Sequence, residues 1–140
     1  MGAKTVAREE VKDSSLTDSD GRKVALSDLF GKKEDLILIH NMGRSCPYCT
    51  MWADGFNGVL EHLEDRAAFV VVSPDAPPVQ KQFAKSRDWR FKMVSSKETA
   101  FSKDMGFENK QGRSRAWGIS FPQGSQRENI PCRQGRIWSR

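Results

Sequence analysis

Two cysteines two residues apart, in Cys46-Pro47-Tyr48-Cys49, are the side chains of this sequence best suited by type and spacing to chemistry. A Cys-x-x-Cys can run a two-electron cycle: one thiolate attacks a disulfide or an oxidant, and the second thiol resolves the mixed species. The thiolate is the reacting form, so the setting of the first cysteine matters. At the first turn of a helix, unpaired N–H groups and the helix dipole favour a negative sulfur. The motif stands between the apolar run Leu36-Ile37-Leu38-Ile39-His40 and a stretch with helical periodicity. Cys46 is therefore expected at a helix N-terminus as the nucleophile, with Cys49 one turn further in as the resolving thiol. Pro47 fixes the first helical turn without removing a needed donor. Arg44 is a source of positive potential beside the thiolate, and Tyr48, inside the motif, is counted with the assisting residues.

Other readings of the same residues stay open at this point. Both cysteines could be small apolar fillers. A zinc site would need four ligands, and beyond this pair the chain offers only His40, His62 and Cys132; no metal and no cofactor is expected. His40, six residues before Cys46, is either a base or proton shuttle for the thiol or a hydrogen-bonded histidine at a strand end. Asp54 and Asp75 are candidate proton-transfer groups or, equally in keeping with their settings, cap and turn residues.

These residues need elements to hold them. Leu16 to Leu26 reads as two short strands around Asp20-Gly21, a hairpin turn signal. Ser27 to Gly31 reads as a helical turn ended by glycine. Residues 36 to 40 are a strand buried on both faces. Trp52, Phe56, Val59, Leu60 and Leu63 lie on one face of a helix over 47 to 64, and Trp52, Phe56 and Trp89 are assigned to the core. Ala67 to Val72 is a second buried strand, 78 to 89 a helix with Val79, Phe83 and Trp89 inward, Phe91 to Ser95 a third strand, and Glu98 to Met105 a short helix. Strands alternating with helices after a hairpin imply an α/β sheet with parallel crossovers.

Composition sets the outer bounds. The 140 residues, 37% apolar, suffice for one domain with a real core. No stretch reaches the run of about 20 apolar residues that spans a bilayer, and Met1-Gly2-Ala3-Lys4 leads into polar sequence, so a cytoplasmic location is expected. The net charge of +5 is unevenly placed: residues 1 to 110 carry 17 Lys plus Arg against 17 Asp plus Glu, and residues 111 to 140 carry six Arg and one Glu. An Arg-rich tail raises a nucleic-acid or acidic-partner hypothesis. Trp117 and Trp138 stand among those arginines without periodicity or a known motif, which argues against nucleic acid.

With these residues in view, the chain resembles known proteins. The hairpin, the strand, the Cys46-Pro47-Tyr48-Cys49 helix and the strand ending Val71-Val72-Ser73-Pro74 look like the thioredoxin fold, and the N-terminal extension resembles that of the peroxiredoxin and alkyl hydroperoxide reductase branch. More closely, Cys-Pro-x-Cys followed by Trp52-Ala53-Asp54-Gly55-Phe56, then Trp89-Arg90-Phe91 and Val94-Ser95-Ser96, is similar to a bacterial thioredoxin-like family known as domain of unknown function eight-nine-nine. The resemblance covers roughly residues 15 to 110. It implies a three-layer α/β/α thioredoxin-like sandwich with an N-terminal β-hairpin, and a thiol redox role. The leading expectation is a thiol:disulfide oxidoreductase acting on protein or small-molecule disulfides, or on peroxide, with an external thiol reductant. The alternatives are a thiol-dependent peroxidase and a non-catalytic thioredoxin-fold binding module. Against the peroxidase, the Pro-x-x-x-Thr/Ser-x-x-Cys pattern of peroxiredoxins meets Ile39 and Gly43 here.

Residues 1 to 15 read as a lead-in and 16 to 111 as the thioredoxin-like domain. From about Gly112 no periodicity supports an element, although the resemblance calls for a cis-proline loop and two further strands after Gly106. The domain is therefore expected to be incomplete at its C-terminus, with an unpaired strand edge that favours self-association. Suitable synonymous codons for Arg113 to Arg140, read one base later, can encode E-V-E-P-G-V-S-A-F-R-R-A-H-K-G-K-I-F-R-A-G-K-A-E-F-G-P-G. That text looks like the family's continuation, so residues 112 to 140 are expected to be an out-of-frame tail; sequencing the gene tests this.

Overall fold

In the computed structural model, residues 13–105 and 117–122 are described. Their elements, in chain order, are β1 (Ser15–Asp18), β2 (Lys23–Ala25), a 3-10 helix (Leu26–Phe30), β3 (Asp35–His40), α1 (Pro47–Gly58), α2 (Leu60–Arg66), β4 (Ala68–Ser73), α3 (Pro77–Ser86), β5 (Lys92–Ser95), α4 (Phe101–Asp104) and β6 (Trp117–Pro122). They build one six-stranded sheet in the order β2-β1-β5-β4-β3-β6. β3, β4 and β5 are parallel, joined by helical crossovers; β1 runs antiparallel to β2 and β5, and β6 antiparallel to β3.

Strand alternation explains why two separate cores form. Leu36 and Leu38 of β3, Val70 and Val72 of β4 and Val94 of β5 point to one face, where Leu16, Leu26, Leu29, Phe30, Phe101 and Met105 close over them. The intervening residues Ile37, Ile39, Phe69, Val71 and Met93 point to the other, beneath Ala53, Phe56, Leu60, Leu63 and Phe83 of α1, α2 and α3. Parallel strands covered on both sides must be apolar at every position. The helix layer, the sheet and the thinner layer of α4 and the 3-10 helix make a three-layer thioredoxin-like sandwich. Among the described residues no helix is long and apolar enough to cross a membrane.

The hairpin forms as expected. Asp18 Oδ1 accepts the N–H groups of Asp20 and Arg22, and Gly21 takes the positive φ of 83° that closes the turn. Several expectations are corrected. The helix over 47 to 64 is interrupted at Val59, and its core face is formed by Cys49, Ala53, Phe56, Leu60 and Leu63. Small residues sit closest to the sheet, which turns Trp52 and Val59 out to solvent instead of into the core. Trp89 is buried as expected, though α3 ends before it at Ser86. The helix expected from Glu98 begins only at Phe101, because Glu98 holds a positive φ of 60° that no right-handed helix admits. The tail expected to lack structure after 112 contributes β6, whose backbone pairs along all of β3 from Asp35 to His40. The cis-proline loop expected after Gly106 lies outside the described residues, and so does the rest of the expected out-of-frame tail, residues 112 to 116 and 123 to 140.

Candidate functional site

The chain leaves β3 at His40, at the carboxyl end of the sheet, and turns into α1 through 41–46. Three polar contacts shape that turn. Asn41 N–H bonds to Val72 O at 2.7 Å, and Asn41 Oδ1 accepts the N–H of Gly43 at 2.8 Å. Asp75, just past β4, accepts the N–H of Arg44 at 2.8 Å through Oδ2. Gly43 has φ +104°, and a Cβ built there would lie 3.1 Å from both carboxylate oxygens of Asp75. Only glycine fits both the backbone angle and the close approach.

Cys46 is the N-cap of α1, with extended backbone, and its Sγ accepts the N–H of Cys49 at 3.2 Å. Pro47 begins the helix. The N-cap position is ordinarily taken by Ser, Thr, Asp or Asn, whose oxygen accepts this bond. Here a sulfur takes their place, and a bond directed at sulfur strengthens as the sulfur gains negative charge. Both cysteines are free thiols, 9% and 4% exposed. Cys49, one turn on, has its pKa pushed from 9.0 to about 11, first by burial and then by its contact with Cys46. The two thiols thus differ: Cys46 caps the first turn of the helix, whereas Cys49 is kept protonated beneath it. Cys49 also lines a small cleft with Ile39, His40, Asn41, Trp52 and Ala53.

The other sequence-derived site residues divide. Arg44 and Tyr48 are exposed on either side of Cys46, with Pro47 between. His40 is fully buried, and its Nε2 is 3.4 Å from Ser102 Oγ, which donates to Ser96 Oγ at 3.1 Å. It follows Leu36 and Leu38 in the alternation of β3, on the face away from α1, so its imidazole belongs to a buried hydroxyl chain with α4. Asp75 is brought to the site, but as the group that fixes the 43–44 turn. Asp54 is not brought there: its carboxylate binds the guanidinium of Arg87 and, at 2.7 Å, the indole N–H of Trp89. His62 is exposed on α2. Among the described residues, no group of three His, Cys, Asp or Glu is placed to hold a metal ion; Cys132 lies outside them. Sequence reading missed Asn41 as a shaper of the site. Its signal was an amide at the strand end just before a glycine turn, which is weak by itself.

Comparison of this chain with known proteins bears on the fold. The fold is similar to peroxidoxin BcpB from Mycobacterium tuberculosis, at 20% identity and a TM-score of 0.70, over 95% of this chain and 88% of that one. It is similar to reduced Prx3 from Vibrio vulnificus in complex with hydrogen peroxide, at 17% identity and a TM-score of 0.73, over 96% and 91%. A putative protein disulfide isomerase from Bacteroides thetaiotaomicron matches at 18% identity and a TM-score of 0.64, over 92% and 79%. At such identities the likeness is one of fold. None of the curated proteins matches the sequence. The family described as "Bacterial protein of unknown function (DUF899)" matches residues 7–132, past the point where periodicity fails. The chain, a thioredoxin-like sandwich with a Cys-x-x-Cys at the N-terminus of its first long helix, belongs to that DUF899 family.

Proposed function

We propose that the protein is a thiol:disulfide oxidoreductase in which Cys46 is the nucleophile and Cys49 the resolving thiol. The observation that carries this reading is the placement of Cys46 Sγ as the N-cap acceptor of α1, with protonated Cys49 one turn behind it. In the cycle, the Cys46 thiolate attacks one sulfur of a substrate disulfide, that S–S bond breaks, and the departing thiolate takes a proton from water. Cys49 then loses its proton and attacks Cys46 Sγ, which releases the second substrate thiol and leaves a Cys46–Cys49 disulfide. Two electrons have passed to the substrate, and an external dithiol returns them. Arg44 and Tyr48 flank the reacting sulfur, and Pro47 fixes the turn that presents it.

Reduction of insulin disulfides with dithiothreitol as reductant tests the reading. Cys46→Ser is expected to abolish turnover, and Cys49→Ser to accumulate a mixed disulfide between Cys46 and substrate. Turnover that survives Cys46→Ser would sink it. A second reading, thiol-dependent peroxidase, draws support from the fold shared with a peroxide-bound peroxiredoxin. It predicts rapid consumption of hydrogen peroxide that persists in Cys49→Ser with added thiol.

A further inference from the structure

Among the described residues, the large apolar side chains that stand most open to solvent gather along α1 and at its C-cap. Tyr48 is 75% exposed, Met51 57%, Trp52 53% and Val59 46%. Tyr48, Trp52 and Gly55 follow one another at helical spacing along α1, and Val59, its C-cap, continues the line, with Met51 beside them; the strip lies about a quarter-turn round the helix from the Cys49-Ala53-Phe56 face that packs on the sheet. At 1.5 Å per residue, the eleven steps from Tyr48 to Val59 span roughly 16 Å. A strip of that length is matched by about five residues of extended polypeptide and far exceeds a peroxide. It is continuous with the chemistry, since Tyr48 lies between the two cysteines and Trp52 lines the cleft beside Cys49. It is also nearly uncharged: α1 has no Lys or Arg, and its single acid, Asp54, is engaged by Arg87 and Trp89.

We propose that the exposed face of α1 formed by Tyr48, Met51, Trp52 and Val59 docks the polypeptide that flanks a substrate disulfide, selecting uncharged, apolar segments. The substrate class is then a protein disulfide set in apolar sequence. A small acidic disulfide such as oxidised glutathione meets one cation, Arg44 ahead of the helix, and its carboxylates find none along α1 itself. This inference rests on the oxidoreductase reading, and the electron balance is the one given above: dithiol to disulfide on the protein, disulfide to two thiols on the polypeptide, with an external dithiol restoring the first. Aromatic and methionine side chains suit such a task, because they bury large areas and adapt to varied partners.

Two measurements on the full chain test it. In the first, kcat/KM is compared for insulin and for oxidised glutathione with the same dithiol reductant, in the parent and in Trp52→Ser and Met51→Ser/Val59→Ser. The insulin-to-glutathione ratio is expected to fall about tenfold in each variant, through KM; a ratio that stays constant overturns the docking face. In the second, binding of a fluorescent ten-residue Leu- and Phe-rich peptide with its cysteines alkylated is followed by polarisation. Binding is expected in the parent and in Cys46→Ser, about tenfold weaker in Trp52→Ser, and weaker again for a Glu-rich peptide of the same length. Absence of peptide binding, or binding indifferent to Trp52→Ser, overturns the proposal even if insulin is reduced. Peptide binding that depends on Trp52 without any disulfide reduction upholds the docking face and removes the oxidoreductase reading instead.

Discussion

The two ends of α1 are held in opposite ways. At the thiol end, the helix meets the rest of the molecule through backbone and short polar contacts: Asn41 Nδ2 to Cys49 O at 3.4 Å, the Asn41 bond to Gly43, and the Asp75 bond to Arg44. Its large side chains there face water. At the other end, Asn57 Nδ2 donates to Asp88 O at 2.9 Å, Asn57 Oδ1 accepts the N–H of Arg90 at 2.8 Å, and Asp54 grips Arg87 and Trp89. Beneath lies a chain of aromatic rings, Phe56 on Phe69, Phe69 on Phe91 and Phe91 on Trp89, with centroids 5.2 to 5.9 Å apart. The difference separates two tasks. The body of the helix is anchored by packing, and the reacting turn is shaped by hydrogen bonds that a change at one residue can alter.

The sharpest way to break this contrast is to damage the anchor and watch the thiols. Trp89→Ala removes a buried ring that touches Phe83 and Phe91 and should cost about 3–5 kcal/mol in chemical denaturation. Under native conditions the rate at which iodoacetamide labels Cys46 should stay within about twofold, since local opening at the turn need not follow global stability. Equal changes in both would show the two ends to be one unit.

Next in size is the contrast between the two thiols themselves. With its pKa raised to about 11, Cys49 should react at pH 8 roughly a hundredfold more slowly than an ordinary buried-site thiol of pKa 9.0 would, because the thiolate is the nucleophile. Of the two motif cysteines, mass spectrometry of alkylated peptides should find the label on Cys46 alone until the pH approaches 11. A raised thiol pKa also stabilises the fold below pH 9.0, and this contribution is lost as pH rises through about 11. Cys49 labelling in step with Cys46 at pH 8 would remove the division of roles.

Gly43→Ala acts on the reacting end. Holding alanine at φ +104° against the Asp75 carboxylate should cost about 1–3 kcal/mol, less than the anchor mutation. Yet it should change Cys46 labelling and insulin reduction by tenfold or more, because the turn that sets the N-cap must shift. A stability loss without a change in thiol reactivity would mean that Asp75 and Gly43 do not position Cys46.

Sequence carried the fold well where periodicity was strong, and it located the thiols. β3 and β4 are built on the apolar runs 36–39 and 68–72, and a Cys-x-x-Cys after such a run has few other placements. It misplaced Trp52 and Val59, since a helical face counted by size puts tryptophan inward, whereas the sheet admits only Cys49 and Ala53 at that distance. β6 was missed although Trp117, Ile119 and Phe121 alternate with Gly118, Ser120 and Pro122, because six alternating residues are a short signal inside a polar, Arg-rich stretch. Asp54 was read as a proton-transfer candidate because Arg87 and Trp89, its partners, are distant in sequence.

Asp54 supplies the smallest and most selective test of the anchor. Asp54→Ala leaves the half-buried indole N–H of Trp89 without its acceptor, a loss of about 1 kcal/mol, and the exposed ion pair with Arg87 adds little beyond that. The Arg87 guanidinium, aided by the Trp89 N–H, holds the Asp54 carboxyl below its ordinary value of 3.8. A depressed carboxyl stabilises the fold above its unfolded pKa, and that contribution disappears as pH falls through the lower folded value. The gap in stability between parent and Asp54→Ala should therefore be full at neutral pH and narrow in acid below 3.8 to what the protonated carboxyl keeps with Trp89. Asp54→Asn, which keeps an oxygen for Trp89 and drops the charge, should fall between the two at neutral pH, with a gap to Asp54→Ala that does not change in acid. Cys46 labelling should be the same in all three; a change that tracks Asp54 would carry the anchor's influence up the helix to the thiols and join the two ends that the contacts keep apart.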